Sequence, residues 1–308
     1  MYFLRAIRAT TDGVGTLPRI ENGTAKVKKP IRPPLTKKPG RFPKAEETDK
    51  TGIRSVDRAM ALLEVLGEDE EGYRLTDLAV RSGLSPSTVH RLLTTLEGRH
   101  FVQFDQSDGM WHVGQRAFAI GSAFVRRRNF VAPALPFLRR LRDVTRETAN
   151  LSIADHGEVV VLTQIESREI MRAITRVGGR VPMVTSGMGK AILATYSDEE
   201  ISAIIKNHGM QKLTHHSHVR AGELRDELAL IRKQGYAVDD EEFLLGLRCV
   251  ASVVYGANGE ALAAISVSGL ASRVPKERLA TLGTLVHETA RELTLALAGT
   301  VPAGDKMP

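Results

Sequence analysis

One cysteine and one tryptophan occur in 308 residues, and aromatic side chains make up 5% of the chain. A lone Cys249 excludes an internal disulfide and any zinc site built from several cysteines. No run of about 18 apolar residues is present, so no segment reads as a membrane span and no membrane partner is expected. The N-terminus lacks the apolar stretch and cleavage site of a secretory signal, which makes the cytoplasm the expected compartment. Enzyme signatures are missing as well. There is no G-x-S-x-G. The run "SGMGKA" resembles a phosphate loop, but Val184 stands in place of its first glycine and Ala191 in place of its Ser/Thr. His215, His216 and His218 of "HHSH", with His208 nearby, fit no standard zinc spacing. Cys249 lies in an apolar strand pattern, where a small buried hydrophobe is the simpler reading than a nucleophile. The expectation is a protein with no catalytic residues, no metal site and no cofactor.

The length suffices for two modest domains with cores of their own. The net charge of +7 invites a nucleic-acid partner, but its placement qualifies that. Residues 1–50 hold 12 Lys/Arg against 5 Asp/Glu, while the rest of the chain holds 31 of each. That tail also carries six prolines (Pro18, Pro30, Pro33, Pro34, Pro39, Pro43) and no sustained hydrophobic period. It reads as a disordered segment: an unstructured leader or misassigned start in one reading, a basic arm touching DNA phosphates in the other.

Residues 51–113 carry the sharpest pattern. Ile53, Val56, Met60 and Leu63 share one helix face, ended by Gly67 and the acidic "EDEEG". Thr76 is placed to cap a short helix through about Ser82, and Gly83 supplies a turn. Ser85 is an N-cap with Pro86 at the first helical position. Val89, Leu92, Leu93 and Leu96 then face inward, and Gly98 marks the stop. The outer face of that helix carries Ser87, Arg91 and Thr94, flanked by Thr88, His90 and Thr95. Two helices joined by a glycine turn make a helix-turn-helix, whose second helix enters the major groove. Small hydroxyls allow close approach of the backbone, and Arg91 reaches a guanine edge or a phosphate. Ser85, Ser87, Thr88, His90, Arg91 and Thr94 are therefore the candidate DNA contacts. "FVQFDQSDGMWHV" follows as a β-hairpin turning at Asp108-Gly109, the wing of a winged helix. A small helical domain that binds protein is the alternative. Residues 51–115 hold 6 Lys/Arg against 10 Asp/Glu, which favours that alternative, but the acids cluster in the loop away from the presumed contact face.

Residues 114–131 read as a linker helix. Its "RRR" at 126–128 is a solvated face, or lies near DNA or a second copy. Pro133 and Pro136 break and restart the helix, which runs to about Thr148. From residue 132 to the end the pattern is mixed. "EVVVLTQI", "VASVVY" and "ALAAISVSG" read as strands, with a turn at "NGE". "GMGKAILATY", "DEEISAIIKNHG", "AGELRDELALIRKQG" and "KERLATLGTLVHETARELTLALAG" read as helices. A sheet with helices and no nucleotide fingerprint suggests a small-molecule sensor. The fold class is thus α+β: a winged helix-turn-helix, a linker helix and a C-terminal α/β effector-binding domain.

These motifs resemble the IclR (isocitrate lyase regulator) family of bacterial transcription factors. The carrying residues are "STVHRLLTTLE" in the first domain and "GGRVPM", "SGMGKAILA", "GYAVDDEEFLLGLRCVA" and "AAISVSG" in the second, in family order across roughly residues 52–299. The resemblance implies a GAF-like effector domain, a homodimer or homotetramer, and binding to a double-stranded operator controlled by a small carboxylate. It implies a regulator of a catabolic operon, a repressor in the first reading. It places Gly187 and Met188 at the effector carboxylate, which suits the anion preference of a helix start. Asp239, Cys249, Ser266 and Ser268 match its polar contacts, and Ile170, Ala173, Val181 and Leu247 its apolar wall. Many members carry alanine where Met188 stands, so a methionine here narrows the pocket: the carboxylate class carries over and the particular compound does not. The alternative function is a protein-binding winged helix fused to a sensor or enzyme domain, which Arg91 and its hydroxyl neighbours argue against.

Overall fold

The computed structural model describes residues 53–69, 71–170 and 176–302; the basic tail and Ala173 lie outside them. The N-terminal unit is built from α1 (Arg54–Gly67), α2 (Leu75–Ser82), α3 (Pro86–Glu97), β1 (Val102–Asp105) and β2 (Met110–Val113). Leu62, Val65, Leu66, Leu78, Val89, Leu93 and Trp111 form its core. Of the apolar stripe read along α1, Leu63 packs against this core while Ile53, Val56 and Met60 are exposed, and Leu62, Val65 and Leu66 are the buried set. Two apolar stripes share this helix, and α2 and α3 cover only one of them.

Gly83 adopts φ +64°, the left-handed geometry that lets α2 turn into α3 within three residues. Arg74, rather than Thr76, occupies the N-cap of α2, and Thr76 lies inside the helix. Gly98 is the C-cap of α3, as its position suggests, and adopts right-handed geometry there. The wing strands pair in antiparallel register, Val102 with Val113 and Phe104 with Trp111.

After α4 (Gln115–Arg126), helix α5 (Val131–Thr145) runs through both prolines instead of breaking at them. Pro133 sits in the first turn, where its missing N–H has no partner to lose. Pro136 costs one interior hydrogen bond, against which Ala134, Leu138 and Leu141 bury fully. Strand β3 (Thr148–Asp155) follows where the helix was expected to end. It is joined by β4 (Glu158–Ile165), β5 (Arg180–Pro182), β6 (Ala237–Asp240), β7 (Leu247–Tyr255) and β8 (Ala261–Leu270) in one antiparallel sheet of order β5-β4-β3-β8-β7-β6. Alternation divides each strand between two cores. Ala149, Leu151, Ile153, Ile265 and Val267 pack against α5 and α9 (Lys276–Ala296). Ala237, Ala251, Val253 and Ala264 pack on the other face, under α6 (Gly187–Leu193) and α8 (Ala221–Gln234), with Ile201 of α7 (Asp198–His208) in the same cluster. Among the described residues no helix is long and apolar enough to cross a membrane.

Candidate functional site

Two places combine exposed or oriented polar groups with a rigid support. The first is α3. The Ser85 side chain accepts the Thr88 N–H at 3.3 Å and lies 2.8 Å from Thr88 Oγ1 and 3.1 Å from Ser87 Oγ, so the helix start is held by its own hydroxyls. Val89 and Leu93 lock the inner face with no exposure. Ser85, Ser87, His90, Arg91 and Thr94 are exposed and Thr88 half-buried. The hydroxyl of Thr94 donates to the His90 carbonyl at 2.9 Å, which turns its lone pairs and methyl outward. The six candidate DNA contacts thus share the N-terminal and outer part of one helix. A groove of about 760 Å³ runs beside it, between Val56 and Met60 of α1 and Thr88, Arg91 and Thr95 of α3.

The second place is the polar patch under α6. Ser186 caps α6 by accepting the Gly189 N–H at 3.1 Å and donates to the Pro182 carbonyl at 2.9 Å. The glycines explain the close seating. A Cβ on Gly189 would lie 2.3 Å from the Met183 backbone, and one on Gly187 would press at 3.3 Å on both the carbonyl oxygen and the sulfur of Cys249. Gly187 and Met188 are the first two residues of α6, whose N–H groups a helix leaves without partners of its own. Both are buried. Below them the sheet register aligns Asp239 with Cys249, and Cys249 with Ser268. Ser266 lies two residues along the same strand face as Ser268. All four side chains are buried.

Asp239 Oδ1 accepts the N–H groups of Glu242 at 2.8 Å and Phe243 at 3.3 Å. Burial, with the neighbouring Glu242 charge, nevertheless pushes its carboxyl up to about 7. Burial and the Asp239 charge likewise push the Cys249 thiol up to about 11, which makes it a poor nucleophile at neutral pH. Met188 closes the patch: its sulfur accepts a hydrogen bond from Ser152 Oγ at 2.9 Å.

The expected apolar wall is only partly here. Val181 is buried in the cluster that contains Met188, and Leu247 is half-buried at the start of β7. Ile170 is 96% exposed. The chain leaves the sheet at Ile165, so no strand pairing holds Ile170 inward. Of the four histidines, His208, His215 and His216 are exposed, the rings of His215 and His216 lying 4.1 Å apart, and His218 binds Glu227 at 2.6 Å.

Sequence reasoning overlooked three residues. Lys190, in the rejected phosphate-loop motif, is fully buried and donates to Glu227 at 2.6 Å and to Glu242. Burial works to lower its pKa, but the two carboxylates outweigh this and hold it charged. Glu242 is the next acid after Asp239 to turn inward; burial raises its pKa, partly offset by Lys190. His218, Glu227 and Glu242 present ligand atoms within 4.8 Å of one another, but the Lys190 ammonium already serves as their cation. The third is Asn150, whose Nδ2 contacts both serines. A charged residue inside an apolar helix run was the available signal for Lys190. Asn150 gave none.

A winged helix with an exposed hydroxyl-and-arginine face, joined to a separate sheet domain, defines the class of DNA-binding transcriptional regulators. Family comparisons agree. The model of the IclR helix-turn-helix domain matches residues 55–106, and that of the bacterial transcriptional regulator IclR C-terminal domain matches residues 122–295. The chain belongs to the IclR family of transcriptional regulators. It is 41% identical to the acetate operon repressor of Salmonella typhimurium over 87% of this chain and 98% of that one. It is 39% identical to the transcriptional repressor IclR of Escherichia coli over 86% of this chain and 98% of that one. The crystal structure of the Thermotoga maritima IclR superposes with a TM-score of 0.65 at 26% identity, covering 80% of this chain and all of that one.

Proposed function

We propose that this protein is a cytoplasmic repressor that docks α3 in the major groove of its operator and senses a small carboxylate in the patch beneath α6. The division of labour is a DNA-binding unit over residues 51–113, a linker over 114–131 and an effector-binding unit from 132 onward. The observation that carries the DNA reading is the outer face of α3, where Ser87, Arg91 and Thr94 stand exposed on a helix locked by Val89 and Leu93. Arg91 reads a base edge, and the hydroxyls and His90 contact phosphates or neighbouring bases.

In the sensor, the effector carboxylate faces the N–H groups of Gly187 and Met188, with Ser266, Ser268 and Cys249 beneath and Asp239 at one end. Val181 and Leu247 supply apolar surface. Exposed apolar side chains support assembly with a second copy: Ile53, Val56 and Met60 at and along α1, and Phe118, Ile120 and Phe124 around α4. A two-fold assembly then reads a pseudo-palindrome with half-sites about one helical turn, ~34 Å, or a multiple apart.

The test is a footprint on the intergenic DNA upstream of the protein's own gene, with and without small carboxylates. Protection of two half-sites that a carboxylate alters supports the reading. No retardation of that DNA at any salt concentration overturns the DNA role and favours a protein-binding winged helix.

A further inference from the structure

Strand β3 brings another polar group to the face that carries Ser266 and Ser268. Asn150 is fully buried and pairs in register with Ser266. Its Nδ2 donates to Ser266 Oγ at 3.2 Å and to Ser268 Oγ at 3.3 Å. Its Oδ1, equally buried, has no hydrogen-bond partner among the described residues. The serine oxygens offer lone pairs to the amide nitrogen, which leaves the oxygen as the free end of Asn150.

A buried acceptor with no donor carries an unpaid desolvation cost. The side chains that share its face are engaged elsewhere: Gln164, opposite it on β4, donates its Nε2 to Glu166 at 3.3 Å. Ser152, two residues along the same strand face, gives its hydroxyl proton to Met188 Sδ. The ammonium of Lys190 is committed to Glu227 and Glu242. Asp239 Oδ1 is an acceptor as well. Met188 covers this end of the patch with a flexible thioether, a weak acceptor that rotates aside more readily than a branched side chain. A molecule replacing it meets a free amide oxygen, and the complement of that oxygen is a hydroxyl.

We propose that Asn150 contacts the effector directly and selects a carboxylate that also carries a hydroxyl, whose proton Asn150 Oδ1 accepts. The proposal rests on the carboxylate pocket proposed above. It adds a specificity-determining residue and narrows the ligand class from carboxylates to hydroxy acids. A site built to bond a hydroxyl discriminates strongly against the analogue that lacks it, because the analogue leaves the acceptor buried and unpaired.

Calorimetric titration of the full-length protein with propionate, lactate and 3-hydroxypropionate tests this. At least one hydroxy acid is expected to bind about tenfold or more tightly than propionate. In Asn150→Leu the ratio is expected to fall to within about threefold, with propionate still bound, and Asn150→Ala replaces it where the leucine variant does not fold. Equal affinities for all three acids in the unsubstituted protein overturn the role of Asn150 and leave the carboxylate pocket standing. So does a hydroxyl preference that survives both substitutions. Binding of none of the three acids overturns the pocket itself and this assignment with it.

Discussion

The ammonium of Lys190 lies 2.6 Å from a Glu227 carboxylate oxygen while its own side chain has no exposure to solvent. Glu242 takes a second of its protons, and Glu227 in turn binds His218 at 2.6 Å. This chain of charges runs from beneath α6 to the half-exposed His218. Removing this buried cation strands Glu242 and leaves Glu227 with His218 alone, so Lys190→Met is expected to destabilise the fold by about 3–5 kcal/mol. Adding Glu227→Gln and Glu242→Gln to that variant is expected to recover most of the loss. Urea denaturation of both variants checks this; equal losses in the two would contradict it.

Asp239 is predicted to destabilise the free protein at neutral and alkaline pH. Its folded value of about 7 lies above its ordinary 3.8, so the folded state holds the proton more tightly. Its contribution is therefore fully present below pH ~4 and is lost as the pH rises through about 7. Asparagine keeps an oxygen for the Glu242 and Phe243 N–H groups without the charge. Asp239→Asn should be the more stable protein at pH 8, by a few kcal/mol at most at roughly 1.4 kcal/mol per pH unit, with the gap closing toward pH 4. Thermal melts across that range decide it.

The same carboxyl predicts how ligand affinity varies with pH. A carboxylate entering beside Asp239 disfavours a second negative charge and draws a proton onto it. Affinity is then flat below pH ~7 and falls above it, by up to about tenfold per pH unit. Calorimetry at pH 6, 7 and 8 measures this, and an affinity that rises with pH would place the ligand elsewhere.

Arg91 is exposed on the face opposite Leu93, so Arg91→Ala is expected to leave folding unchanged. It should weaken operator binding by about 1–3 kcal/mol and relax preference at one base position. Gel shifts against operator variants test this; an unchanged sequence preference would remove Arg91 from base readout.

Met188 occupies the patch, with its sulfur on Ser152. Met188→Ala is expected to admit bulkier acids than the unsubstituted protein accepts. A thermal-shift series of acids of increasing chain length reads this, since a ligand at 100 times its dissociation constant adds about 2.7 kcal/mol.

Much of this molecule was written in local pattern. Ser85 and Pro86 fixed the start of α3, and its leucine spacing fixed which face carries Arg91, because cap and periodicity act within one or two turns. The wing, β4 and the β7–β8 hairpin were legible for the same reason. Strand β3 was not. "TANLSIAD" does alternate polar Thr148, Asn150 and Ser152 with apolar Ala149, Leu151 and Ile153, but it follows the helix without a turn signal, and its polar face is buried in the patch instead of facing water. The outward stripe on α1 was equally invisible, since Ile53, Val56 and Met60 satisfy helical spacing whichever face the neighbours cover.

Local sequence thus determined most of the elements, the cap of α3 and which face of that helix carries Arg91. Only the tertiary structure decided which polar groups meet. Lys190 and Glu242 are 52 residues apart, and Asn150 and Ser268 are 118 apart. Their meeting depends on β3 lying beside β8 and α6 seating on Cys249 through its glycines. Sheet order is chosen by the burial of whole faces, a sum over distant residues, and no window of the chain contains it.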